Sequence, residues 1–198
     1  MELIVIRHAR PERLEGIKGG ADPALTAVGH RQSELVADWV RAEHLDAIYV
    51  SPMARARQTS QPIEEAMGIA AVVEPRIREY DATSSHYIPI EEVKQDKEAW
   101  KRWIARDEAA DRSEFFAMVN EAFGEIAARH RGQRVAVVCH GGVINAVASG
   151  ILGLGHRIFF NPHYTSINRM MVASSGERSI VSLNDIGHLH AFPDLILH

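Results

Sequence analysis

Leu3-Ile4-Val5-Ile6 is an unbroken apolar run, rich in β-branched residues, that stops at Arg7-His8-Ala9-Arg10-Pro11. Continuous rather than alternating apolarity suits a strand covered on both faces, as inside a parallel sheet. Pro11 then ends regular structure. Val135-Ala136-Val137-Val138-Cys139 repeats the pattern and stops at His140-Gly141-Gly142. Two buried strands, each ending in a histidine, leave few architectures open. Ligands of open α/β sheets collect just outside the carboxyl ends of the strands, so Arg7, His8 and His140 fall where a site is expected. Taken alone, an Arg-His pair at a strand end is more often merely solvated.

The intervening pattern supplies helices. Thr26 is placed to cap a helix over 27–42, with Val28, Leu35, Val36, Trp39 and Val40 at helical spacing. A short strand over 46–50 leaves at Ser51-Pro52, and a second helix spans 53–67. Arg55 and Arg57 lie in its first turn, where the macrodipole disfavours cations unless an anion is bound there. A third strand is expected at 70–73. Ser113 is expected to cap a long helix reaching about residue 131, with Phe116, Val119, Phe123 and Ile126 facing inward. Strand-like runs at 166–173 and 179–183, joined by Ser174-Ser175-Gly176-Glu177, predict an antiparallel hairpin at the sheet edge.

Alternation of strands and helices gives an α/β fold, a three-layer α/β/α sandwich with a mostly parallel sheet and an antiparallel edge strand. Its strand ends gather Arg7, His8, Ser51, Arg55 and His140 on one side. Residues 1–198 read as a single domain, with a helical cap inserted at about 82–112 that is too short for a core of its own. Trp100 and Trp103 in that insertion read as packing rather than as ligand contacts.

Composition narrows the function classes. Hydrophobic residues make up 46% of the 198 and charged ones 24%, and the net charge is −4. That gives no reason to expect a nucleic-acid or membrane partner. No apolar run approaches the ~18 residues of a membrane span, and the start of the chain does not read as a signal peptide. The single cysteine, Cys139, excludes an internal disulfide and fits a reducing cytoplasm. Of the 11 histidines none forms HExxH, and one cysteine builds no zinc knuckle, so neither metal nor cofactor is expected.

Arginine's planar fork matches phosphate oxygens, and histidine serves as nucleophile or proton carrier near neutrality. Phosphoryl transfer needs chiefly positioning and charge neutralisation. The motifs resemble the histidine phosphatase superfamily, with its phosphoglycerate-mutase-like fold. They are Arg7-His8, then 22–29, then 51–59 with Arg55, then 138–144 with His140, then Leu183-Asn184-Asp185, in the family order. The resemblance implies His8 as the nucleophile that becomes phosphohistidine. It implies Arg7, His8, Arg55 and His140 around the phosphoryl group, with His140 protonated. It also implies Glu79 as proton donor, with Asp81 as rival, and the donor carboxyl should be kept protonated by burial or nearby negative charge.

Three departures stand out. Ala9 replaces the family's usual glycine and is expected to narrow the pocket floor slightly. Arg10 would add a third cation at the pocket mouth. Arg10-Pro11-Glu12 matches the mutase version of the loop poorly. The leading reading is therefore a metal-independent phosphatase acting on a small-molecule or protein phosphomonoester. A mutase and a non-catalytic phosphate- or phosphoprotein-binding module are the alternatives. The cap should set specificity, and the edge hairpin offers a homodimer seam.

Overall fold

The computed structural model describes residues 1–196, with the backbone alone at 107 and 108. Six strands form one sheet in the order β3-β2-β4-β1-β5-β6. They are β1 (Glu2–Arg7), β2 (Ala47–Val50), β3 (Val72–Val73), β4 (Arg134–Cys139), β5 (Ile167–Val172) and β6 (Arg178–Asp185). β1 to β4 are mutually parallel, whereas β5 runs antiparallel to both β1 and β6. The central strands β1 and β4 are buried on both faces, which is why neither shows alternation. The expected third strand shrinks to two exposed residues at the sheet edge.

Helices cover both faces. α1 (Ala27–Val40) and α2 (Ala54–Met67) pack on one side, α5 (Ser113–Arg129) and α6 (Gly141–Leu152) on the other. Ile4, Ile6, Val36, Val40, Ile48 and Ile63 belong to the first core, and Leu3, Val5, Phe116, Val119, Phe123 and Val147 to the second. Each such side chain taken fully from water contributes roughly 1.5–3 kcal/mol before entropy is counted. Thr26 caps α1 by accepting the Gly29 N–H at 2.9 Å. Trp39 departs from the expected inward face and is 43% exposed, with its ring lying beside His188. Ser113 is not the cap of α5 but its first residue, and its N–H is accepted by Asp111 at 2.9 Å.

Between β3 and α5 lie α3 (Ile90–Val93) and α4 (Lys97–Ala109). Residues 84–87 ahead of them are tied to the loop after β1. Leu14 and Tyr87 exchange backbone hydrogen bonds of 3.0 and 2.7 Å, and Ala21 donates to the Ser84 carbonyl at 2.7 Å. The glycine-bearing stretch 12–22 is thus held by the cap rather than left as a free loop.

Candidate active site

Sheet register explains why distant residues meet. Arg7 is paired with Cys139 and Val50 with Val138. His8, Ser51 and His140 are therefore the first residues beyond three adjacent strand ends. The His8 N–H donates to the Cys139 carbonyl at 2.8 Å, the Ser51 N–H to that of Val138 at 3.0 Å, and the two imidazoles lie 5.1 Å apart. Arg55, on the first turn of α2, brings its Nε to 3.3 Å from His8 Nε2. Arg7 donates to the Pro162 carbonyl and packs 4.3 Å from the Tyr164 ring. Arg57, its neighbour on α2, is exposed and takes no part.

Arg7, His8 and Arg55 open onto a cavity of about 280 Å³, which Glu79, Asp81 and cap side chains also line. Arg7 is 7% exposed and Arg55 1%, yet Arg7 Nε and Arg55 Nη1 make no hydrogen bond. Asp22 lies 3.6 Å from Arg55, is itself 45% exposed, and accepts the Ala54 N–H at the start of α2. Two buried guanidiniums with spare donors, facing Asp22 at long range and the carboxyls of Glu79 and Asp81, make a positively charged centre that is only partly compensated. Such a centre takes an anion, and the fork geometry suits a tetrahedral oxyanion.

The imidazoles respond to that field. Burial, then Arg55 and Arg7, hold His8 well below the ordinary imidazole range. Its Nδ1 lies 2.8 Å from the Ala9 carbonyl, so this nitrogen carries the proton and leaves the Nε2 lone pair facing Arg55. His140 is likewise held well below the ordinary range by burial, Arg55, His8 and Arg7. The surrounding charges and burial thus disfavour the protonated His140 that the sequence leads one to expect. Its Nε2 is 2.7 Å from Ser51 Oγ, and its buried Nδ1 has no partner.

Glu79 is gripped by two backbone amides, those of Gly142 and Tyr80, each at 3.0 Å. Burial and the Asp81 charge raise its pKa, and the two N–H groups and Arg55 only partly offset them. Asp81 is raised by burial as well, against Arg55 and Arg106. Close approach dictates glycine at 142, because a Cβ there would lie 2.1 Å from Glu79 Oε1 and 2.8 Å from Tyr80 Cδ1. Alanine is the better helix former, so any harm from Gly142→Ala must come through this clash. The variant should lose about 100-fold in kcat on alkyl phosphates by displacing the carboxyl. It should also unfold more easily by about 1–3 kcal/mol. Steady-state assays and urea titration read the two effects.

Two of the noted departures act differently from expectation. Ala9 is fully buried, donates to Thr59 Oγ1 at 2.9 Å, and does not line the cavity. Arg10 is not a third phosphate-facing cation. It turns to Glu91 at 3.5 Å and Glu92 at 3.9 Å and, with Arg13 on Glu92, ties the post-β1 loop to α3. Trp100 and Trp103 stack at 5.1 Å with their planes 8° apart and do line the cavity, so they are more than packing.

Sequence reasoning missed the support beneath the site. Thr165 holds a left-handed backbone (φ 55°), costly for a β-branched residue, and its N–H donates to the Arg7 carbonyl at 3.1 Å. His188 Nε2 meets the Thr165 hydroxyl at 2.9 Å. Asn184, also left-handed, accepts the His163 N–H at 2.7 Å and so fixes the loop carrying Pro162 and Tyr164. A strained threonine gives no signal in a single sequence. Among the described residues, no group of three or more histidine, cysteine, aspartate or glutamate side chains could hold a metal ion, and no helix is long and apolar enough to cross a membrane.

The family model described as "Histidine phosphatase superfamily (branch 1)" matches residues 3–186. The chain belongs to the histidine phosphatase superfamily. Other members are similar across most of their length. A probable phosphoglycerate mutase of Yersinia enterocolitica is 29% identical over 167 residues, covering 78% of this chain and 76% of that protein. Phosphoserine phosphatase 1 of Hydrogenobacter thermophilus is 28% identical over 205 residues, covering 97% and 96%. A crystal structure of an Entamoeba histolytica phosphoserine phosphatase superposes with a TM-score of 0.75 at 22% identity, covering 95% and 98%, which shows the common fold. Arg7, His8 and His140, which the sequence singles out, lie at or just beyond two of these strand ends, and Arg55 joins them from α2.

Proposed function

We propose that this histidine phosphatase superfamily member is a metal-independent phosphatase that hydrolyses phosphomonoesters through a phosphohistidine on His8. The observation that carries this reading is the neutral, Nδ1-anchored His8 with its Nε2 beside Arg55 on the wall of the cavity. Nε2 attacks phosphorus, and the bond from phosphorus to the leaving oxygen breaks. Arg7 and Arg55 neutralise the equatorial oxygens. Glu79, protonated by its surroundings, gives the leaving oxygen its proton. It then accepts one from the water that attacks phosphohistidine, releasing phosphate and restoring His8. A phosphoryl dianion offsets the guanidinium charges and so raises the proton affinity of the neighbouring His140.

Relatives are named both as mutase and as phosphatase. The diversion of Arg10 to Glu91 and Glu92 favours hydrolysis, because a mutase must retain a second anionic group near the phosphohistidine and this cation is committed elsewhere.

Glu79→Gln tests the proton donor. It should lower kcat about 100-fold on an alkyl phosphate but much less on p-nitrophenyl phosphate, whose leaving group needs no proton. The wild-type rate should fall as pH rises through the raised Glu79 pKa, and this limb should vanish in the variant. If Asp81→Asn instead shows this leaving-group dependence, the donor is Asp81.

A further inference from the structure

We infer that the site is built for phosphomonoesters whose leaving group is flat, apolar and uncharged, of about one or two rings, rather than for those carrying a second anionic group. The inference rests on the hydrolytic reading above and concerns the part of the cavity beyond the phosphoryl end. There the walls are side chains of two opposed segments. Tyr87, Ile88, Ile90, Trp100 and Trp103 come from the cap, and Ile158, Phe159, Phe160 and Pro162 from the segment after α6. The Trp100–Trp103 stack and the Phe159–Phe160 pair, with centroids 4.8 Å apart, supply aromatic faces on both sides.

The polar lining gathers at the phosphoryl end, and beyond it Asn145 is committed. The Asn145 amide nitrogen donates to the Gly141 and Phe160 carbonyls at 2.9 Å each, and its oxygen accepts the Phe159 and Phe160 N–H groups. Asn161 is neutral and exposed at the rim. Among the described lining residues Arg7 and Arg55 are the cations, and both belong to the phosphoryl end. Lys94 lines an adjoining recess of about 160 Å³ that shares Arg7, Ile90, Asn161 and Pro162 with the cavity. Its ammonium lies 5.9 Å from the Trp100 ring, on which it is spent. Of the two acidic lining groups, Glu79 is the proton donor of the reading above, and the charged Asp81 would repel a substrate carboxylate. A volume near 280 Å³ is at the small end of the roughly 300–1,000 Å³ usual for ligand pockets, so a long chain or a protein loop is a poorer occupant than a compact ring system. Aromatic walls reward a planar guest beyond its area.

The decisive comparison uses alkyl leaving groups throughout, so that basicity does not decide the ranking. Ethyl, benzyl and 2-naphthylmethyl phosphate are set against phosphoserine and 3-phosphoglycerate. We expect kcat/KM for 2-naphthylmethyl phosphate to exceed that for ethyl phosphate and for phosphoserine by about 30-fold or more, chiefly through KM. Trp103→Ala should cut the 2-naphthylmethyl value about 10-fold more than it cuts the ethyl phosphate value. Trp103→Phe should keep most of the preference, which guards against a loss due to misfolding of the alanine variant. If phosphoserine or 3-phosphoglycerate equals or outranks the aromatic ester while His8-dependent hydrolysis persists, the substrate class is wrong and the phosphatase reading stands. If none of the five compounds is hydrolysed, both fall.

Discussion

His8→Ala is expected to lower the turnover of every accepted phosphomonoester by on the order of 10⁴-fold or more. No second nucleophile stands ready. His140 Nε2 is engaged by Ser51, and its fully buried ring does not line the cavity. The fold should tolerate the change, because His8 faces the cavity and its backbone is fixed independently by the Cys139 carbonyl. Two signatures separate a lost nucleophile from a damaged pocket. Rapid quenching of wild type with labelled substrate should trap an alkali-stable, acid-labile phosphoprotein that the variant lacks. Added imidazole, which fits the space vacated, should restore part of the variant's rate. Retention of a tenth of wild-type activity would falsify the covalent route.

Arg55→Met carries the second large effect, and here activity and stability should move in opposite directions. Loss of the guanidinium removes the charge nearest the attacking nitrogen, at 3.3 Å, and should cost about 10³-fold in kcat/KM. Lysine should rescue only a small part, since a point charge lacks the planar fork. Stability should rise. Arg55 is 1% exposed, leaves Nη1 without a hydrogen bond, shares the site with Arg7, and is offset only by a long contact to a half-exposed Asp22 and by Asp81 and Glu79, whose own charged forms burial disfavours. Replacing such a buried charge by an apolar chain of similar length is often neutral or stabilising by about 1–4 kcal/mol. Some of that is lost with its stacking on Tyr87, 4.9 Å away. A melting temperature raised by a few degrees in an inactive variant would show strain held for anion binding. A clear fall would mean that Arg55 is chiefly structural.

Much of this site is legible along the chain because of how strand ends work. Arg7-His8 and His140 each follow a run of apolar residues long enough to mark a buried strand, and parallel pairing puts such ends on one side. The inward stripe of α5 and the cap of α1 follow from local periodicity and local hydrogen bonding, so they too can be read without the fold. Ser113 and Trp39 mislead for the same reason. A competing acceptor at Asp111 and the neighbouring His188 are settled by geometry, not by type.

The sequence by itself determined the layered α/β plan, the superfamily and which residues gather at the strand ends, because these depend on short-range pattern and on ordered motifs. Only the tertiary structure decided the charge states and the shape of the site. Whether His140 is neutral depends on Arg7, Arg55 and His8 arriving around it from different elements. Whether Arg10 faces phosphate depends on Glu91 and Glu92, some eighty residues away along the chain. The Trp100–Trp103 stack becomes a cavity wall because the cap is tied to the loop after β1 through the Leu14–Tyr87 pairing. Electrostatic fields and cavity walls are sums over groups distant in sequence, and a linear pattern carries no term for their separation.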